Sequence, residues 1–200
     1  TDSDRALLLD FQATLETKPE KAIKLEKDAL AQIETITADN ARLVSNLHAN
    51  LGGLYRMNGH PDLAREHMEK SISLLDQFNL LHINDSIPQI ANYAMFLTEQ
   101  QEPERGISEL QKLSGIIKEY HSDDCLDYAK VQETLGTIYL MTANLPQAKT
   151  HFKRAFKIYE KIWADEPEMI EAKYQEIQEL YPQVGFFLGQ QISSFFTKQA

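Results

Sequence analysis

The sequence predicts an all-α protein, built as a right-handed superhelical stack of antiparallel helix pairs. Two patterns that recur about every 42 residues predict it: prolines that begin helices, and a large–small–x–x–large motif. Only eight Gly and seven Pro occur, and long Val/Thr-rich alternating runs are absent, which favours helix over strand. Apolar residues make up 42% of the 200 residues, enough to bury a core.

The prolines set the period of the second helix in each pair. Pro19, Pro61 and Pro103 follow each other at intervals of 42 residues, and Pro146 follows after 43. Proline fits the first turn of a helix, where its missing N–H has no partner to lose. Each is followed closely by a small residue and an apolar seam at steps of three and four. The small residues are Ala22, Ala64, Gly106 and Ala148.

The first helix of each pair carries a motif with the same period. The motif stands at Leu51-Gly52 with Tyr55, at Tyr93-Ala94 with Leu97, and at Leu135-Gly136 with Tyr139. Antiparallel helices approach to roughly 8–10 Å only where the contact points carry small side chains. A glycine in mid-helix costs about 1 kcal/mol relative to Ala, so we expect the neighbouring helix to need that space. Leucine at Gly52 or Gly136 is therefore expected to unfold the array.

The stretches Asn50–Ser71 and Thr134–Ala155 resemble the tetratricopeptide repeat signature, and Asn92–Leu113 resembles it more loosely. The usual repeat is about 34 residues long. The 42-residue period is similar to the long-helix variety of kinesin light chains and many bacterial adaptors. We expect one array over 1–200, with repeats at about 3–38, 41–79, 85–121 and 127–163 and capping helices at about 167–198. The ends are atypical, with Asp10 where a small residue is expected.

Stacked pairs of this kind curve, and their first helices line the concave side. One stripe of each first helix packs, so the other is expected to face a peptide-binding groove. The resemblance implies that Asn50 and Asn92 hold peptide backbone there, whereas a solvated or helix-to-helix amide is the alternative interpretation. The predicted groove residues are Asn46, Asn50, Arg56, Asn92, Met95, Glu99, Lys130, Glu133 and Thr137.

Nothing in the sequence indicates catalysis or a cofactor. It contains no phosphate-binding glycine loop, no nucleophile elbow and no His-x-x-x-His pair. The cluster at 121–125 mixes metal-ligand types, but we interpret it as an acidic turn and predict no metal site. A formal charge of −10 disfavours nucleic acid, and no apolar run of about twenty residues would span a membrane. The single Cys125 fits a cytoplasmic location.

The last segment, after Pro182, carries a broad apolar stripe. We interpret it as a capping helix that closes the last repeat. A self-association surface that forms a homodimer is the alternative, because an exposed aromatic face is adhesive. The residues of that surface are Phe186, Phe187, Phe195 and Phe196.

The sequence therefore predicts a non-catalytic scaffold that binds an extended peptide segment of a partner protein. The alternatives are the peptide-sensing domain of a bacterial transcriptional regulator, and a self-associating structural protein.

Overall fold

The structure, a computed structural model, describes residues 1–199, without the side chains at 186, 190, 193–196, 198 and 199. These residues form ten helices and no strand. The helices are α1 (Asp2–Leu15), α2 (Pro19–Ala31), α3 (Ala41–Met57), α4 (Pro61–Gln77), α5 (Ser86–Glu99), α6 (Pro103–Tyr120), α7 (Leu126–Met141), α8 (Leu145–Ile162), α9 (Pro167–Leu180) and α10 (Pro182–Gln199). The all-α prediction is confirmed.

The recurring prolines stand at helix starts. Pro19, Pro61 and Pro103 are the first residues of α2, α4 and α6, and Pro146 is the second residue of α8. Proline has no N–H, and the first N–H groups of a helix have no intrahelical acceptor, so each proline begins its helix without losing a hydrogen bond. The second helix of every pair therefore begins where the sequence predicted.

The turns between paired helices repeat as well. Gly59, Gln101 and Ala143 stand at intervals of 42 residues and have φ angles of 73°, 65° and 58°. This left-handed conformation ends a helix sharply and allows the chain to reverse within three residues. Glycine adopts it without strain, whereas Gln101 and Ala143 adopt it at a steric cost.

The chain divides into two compact units, Thr1–Phe96 and Leu97–Ala200. In the first unit α1 packs on α2, α2 on α3, and α3 on α4. The α3–α4 contacts run from Ser45 with Ser71 to His48 with His67, so the two helices are antiparallel. In the second unit α6 packs on α7, α7 on α8, and α8 on α9.

Each unit contains a very close helix approach at a mid-helix glycine of its large–small–x–x–large motif. A Cβ atom on Gly52 would lie 2.6 Å from Cγ of Met68 and 3.3 Å from the carbonyl oxygen of Ala64. A Cβ atom on Gly136 would lie 2.9 Å from Cδ2 of Phe152. Both glycines are buried, so the facing side chains fill the space that a larger residue would occupy.

A buried polar contact also recurs at equivalent positions. Nδ1 of His48 lies 2.8 Å from Nδ1 of His67, and Nδ1 of His151 lies 2.9 Å from Oε1 of Gln132. Burial lowers the pKa of His48 to about 4 and also lowers the pKa values of His67 and His151. The rings are therefore neutral at pH 7, and each contact is a hydrogen bond between the two helices of a pair.

The C-terminal helix α10 packs on both α8 and α9. Its buried residues are Val184, Leu188 and Ile192, at most 5% exposed. These three lie on the apolar stripe that the sequence identified. Phe187 is half-buried, and the side chains of Phe186, Phe195 and Phe196 lie outside the described part of the molecule.

Adjacent glycines of α3 give a matched test of the close approach. We expect Gly52→Ala to destabilise the protein by about 1–3 kcal/mol, because the added methyl group overlaps Met68 and the α4 backbone. Gly53→Ala meets no atom within 4 Å and should stabilise α3 by up to about 1 kcal/mol through helix propensity. Urea unfolding followed by circular dichroism measures both. Equal effects of the two substitutions would contradict the packing assigned to Gly52.

Candidate functional site

Two adjoining pockets lie in unit 1, on the faces of α3 and α5 that the sequence predicted to face a groove. One pocket, of about 210 Å³, is lined by Gly53, Arg56 and Met57 among others. The other, of about 380 Å³, is lined by residues that include Asp10, Asn46, Asn50, Asn84 and Asp85. The pockets share Ala49, Gln89 and Asn92, so we describe them together as the polar groove.

Buried hydroxyls fix the amides at the base of the polar groove. Oγ of Ser45, which is fully buried, donates to Oε1 of Gln89 at 2.8 Å. The Nε2 group of Gln89 donates to Oδ1 of Asn46 at 2.6 Å. The side chains of Asn46 and Gln89 are therefore held in place before any ligand binds, which lowers the entropic cost of binding one.

Asn92 occupies the part of the groove that both pockets share. Its side chain is exposed and makes no hydrogen bond to any residue that the structure describes. An Asn amide can donate to a carbonyl and accept from an N–H at the same time, so this group can bind peptide backbone. Met57 lies at the groove edge, is 83% exposed, and provides an adaptable apolar contact.

The Asn50 amide already has partners within the unit. Its Nδ2 group donates to Oδ1 of Asp10 at 2.9 Å and to Oε1 of Glu26 at 3.2 Å. Oε2 of Glu26 is buried and has no hydrogen-bond partner among the described residues. Burial, reinforced by the neighbouring Asp10 carboxylate, raises the pKa of Glu26 from 4.5 to about 8. Glu26 is therefore protonated at neutral pH, beside an amide that the sequence assigned to peptide backbone.

Asp85, in the larger pocket, has a basic partner. Nη2 of Arg42 lies 2.5 Å from Oδ2 of Asp85, and Nε of Arg42 donates to the same oxygen at 2.6 Å. Asp10 has no such partner among the described residues. The uncompensated negative charge of the polar groove is therefore concentrated where α1 and α2 meet α3.

The remaining predicted groove residues have varied surroundings. Met95 is half-buried and Glu99 is exposed, and neither lines the two pockets. In unit 2, Glu133 accepts a hydrogen bond from the Tyr159 hydroxyl at 2.6 Å and pairs with a lysine. Thr137 is only 7% exposed, so the surface predicted at this position is covered and the hydroxyl offers little to a ligand.

Lys130 lines a separate pocket of about 300 Å³ in unit 2. Trp163 and Tyr159 also line this pocket, and their rings stack with centroids 4.9 Å apart. The ammonium group of Lys173 lies 3.1 Å from Glu133 and 3.2 Å from Glu176. The basic and acidic groups are thus largely paired with each other, which leaves the pocket mostly apolar.

Sequence reasoning missed two features of unit 1. Glu26 stands 42 residues before Met68, so comparison of the second helices at this spacing would have shown a carboxyl at an apolar core position. The outer face of α1 also carries four apolar side chains that are 50–68% exposed. They are Leu7, Leu8, Phe11 and Leu15.

The acidic turn at 121–125 is held by ion pairs. Asp124 pairs with Lys161, and Oδ2 of Asp123 lies 3.8 Å from Nζ of Lys118. Among the described residues, no three His, Cys, Asp or Glu side chains are grouped as a metal site requires. A search of the same residues finds no helix with the length and apolar character needed to cross a membrane.

The comparisons agree with the fold. Residues 86–161 match the family model for the tetratricopeptide repeat. The chain is similar to BtubC (BKLC) from P. vanneervenii, with 19% identity, a TM-score of 0.72, and coverage of 96% of this chain and 76% of that one. It is also similar to a putative kinesin light chain of Podosopora anserina with nearly identical TPR-like repeats. That match has 14% identity, a TM-score of 0.63, and coverage of 73% and 69%. None of the curated proteins matches.

The raised pKa of Glu26 predicts a pH-dependent stability. Between pH 4.5 and about 8 the folded state keeps a proton that the unfolded chain releases, so the free energy of unfolding falls as pH rises. Glu26→Gln keeps a neutral group there. We expect it to stabilise the protein by on the order of 2–4 kcal/mol at about pH 9, a difference that disappears below about pH 5.

Urea unfolding across this pH range measures the difference. Glu20→Gln, an exposed position on the same helix, is the matched control and should leave the pH profile unchanged. Parallel pH profiles of wild type and Glu26→Gln would show that Glu26 is ionised in the folded state.

Proposed function

We propose that this chain, which has the tetratricopeptide repeat fold and carries that family's repeats over residues 86–161, is a non-catalytic scaffold that binds an extended peptide segment of a partner protein. Tetratricopeptide repeats are generally protein-interaction scaffolds. The binding site is the polar groove of unit 1. We also propose a cytoplasmic location, which the single cysteine supports.

The observation that carries this proposal is the chemistry of the groove lining. The amide side chains of Gln89 and Asn92 on α5 line both pockets, and those of Asn46 and Asn50 on α3 line the larger one. Buried hydroxyls orient Gln89, which in turn donates to Asn46. An extended peptide exposes one N–H and one C=O per residue, and side-chain amides match both groups. Small residues between them, Ala49 and Gly53, allow a backbone to approach α3 closely.

The histidine contacts support a non-catalytic role. His48 and His67 bond to each other, and His151 bonds to Gln132, at equivalent positions of two helix pairs. A catalytic group has no reason to recur at the structural period, whereas a helix-to-helix bond has. These rings are therefore assigned to packing.

Asn92 offers the cleanest test, because its side chain has no partner whose loss would disturb the fold. We expect Asn92→Ala to weaken binding of the partner by several-fold to about ten-fold, the loss of two hydrogen bonds to peptide backbone. The measurement is a pull-down from native lysate with wild-type and variant proteins of equal melting temperature.

Gln77→Ala removes an exposed amide from α4, outside the groove, and is the matched control. Proteins recovered by wild type and Gln77→Ala but not by Asn92→Ala are groove ligands. Recoveries that do not differ between the two variants would contradict binding in the polar groove.

A further inference from the structure

The first helix pair departs from the packing seen at Gly52 and Gly136. Asp10 stands 42 residues before Gly52, and Glu26 stands 42 residues before Met68. In the second pair these positions hold the glycine and the large side chain of the close approach. In the first pair they hold two carboxyl groups. An apolar contact at the centre of a helix pair is thus replaced by a pair of like acids, which is unfavourable for stability alone.

Glu26 is 2% exposed, and only one of its two carboxyl oxygens accepts a hydrogen bond from a described residue. Oε1 accepts from Nδ2 of Asn50, while Oε2 is buried with no hydrogen-bond partner in the part of the chain that the structure describes. Asn50 donates the same amide group to Asp10. Two carboxyls therefore depend on a single Nδ2 group, and burial together with the neighbouring Asp10 raises the pKa of Glu26.

This group lies directly behind the wall of the polar groove. The two side chains bonded around it, Asp10 and Asn50, both line the 380 Å³ pocket. Asp85 of the same pocket is neutralised by Arg42, and the remaining polar lining is made of neutral amides. A positive charge that enters this pocket is therefore stabilised at the end of the pocket formed by Asp10.

We propose that the polar groove selects peptides that carry a lysine or arginine, and that the cationic head group lies against Asp10 and Asn50 with Glu26 behind them. This inference rests on the proposed function and adds the chemical class of the ligand. An ammonium or guanidinium group donates several hydrogen bonds to carboxylates, and charge-assisted bonds of this kind are stronger than neutral ones. It would also supply the positive partner that Asp10 lacks among the described residues. The acidic balance of the chain, −10, favours approach of a basic segment.

Peptides selected from a random phage-displayed library on the purified protein provide the probe. We expect the selected sequences to share a lysine or arginine at one fixed position. Their affinities are then measured by fluorescence anisotropy for wild type, Asp10→Asn and Asp28→Asn. Asp28 is an exposed carboxylate on α2, outside the groove, and makes the matched control for loss of one charge.

The same peptides are measured with the lysine replaced by norleucine, or the arginine by citrulline. Asp10→Asn should weaken binding of the basic peptide about ten-fold and leave binding of the neutral peptide nearly unchanged. The effects of the protein substitution and of the peptide replacement on the binding free energy are then not additive. Asp28→Asn should match wild type for both peptides. Thermal melts of each variant establish that the comparison is between folded proteins.

The other outcomes separate this inference from the proposed function. Selected peptides that bind less tightly to Asn92→Ala but share no basic residue would overturn the inference and leave the groove as a peptide site. Equal effects of Asp10→Asn and Asp28→Asn would overturn it too, since they indicate general charge attraction. Selection of no peptide, or only of peptides insensitive to Asn92→Ala, would overturn both.

Discussion

The close approach of two helices at one small residue is the constraint that organises the helix pairs α3–α4 and α7–α8. Gly52 lies against Met68 and Gly136 against Phe152, and each glycine stands the same number of residues before its left-handed turn residue, Gly59 or Ala143. A fixed crossing point and a fixed turn leave one register for the hairpin. The proline at the start of the second helix then has to recur with the same period.

The first helix pair carries carboxyl groups at the two positions where this constraint places a glycine and a large apolar side chain. Where Gly52 and Met68 pack by dispersion, Asp10 and Glu26 place two carboxyls that share the amide of Asn50. The apolar packing that stabilises the pairs with Gly52 and Gly136 is given up here, next to the polar groove. Local violations of an otherwise consistent pattern are expected at functional sites, where binding sets the sequence instead of folding.

The fold could be predicted because its determinants are local and periodic. Prolines, small residues and the helical step of three and four are visible in the sequence, and they specify helix starts and the packed face. The site could be predicted only in part. Thr137 follows Gly53 at twice the repeat period, yet Gly53 has open space around it and Thr137 is 7% exposed. Equivalent positions differ because neighbouring side chains, not the helix period, decide exposure.

Asn50 shows the same limit at the level of hydrogen bonds. The sequence places it on the groove face, but its amide nitrogen is engaged by acids from α1 and α2, which are far away along the chain. Asn92, whose neighbours among the described residues make no such demand, keeps its whole amide for a ligand. The helical spacing of residues in the sequence predicts the face of a helix on which a residue lies. The hydrogen-bond partners of its polar atoms, by contrast, depend on tertiary packing.

The contrast between the amides and Asp10 separates affinity from specificity in the groove. Hydrogen bonds from Asn46, Asn92 and Gln89 to peptide backbone do not depend on the peptide sequence, so they would stabilise many ligands in many registers. A single charge at one end distinguishes among them, because only a segment with a cation at the matching position satisfies it. In the proposed binding mode, the carboxylate of Asp10 would thus supply the sequence selectivity that neutral amides alone lack.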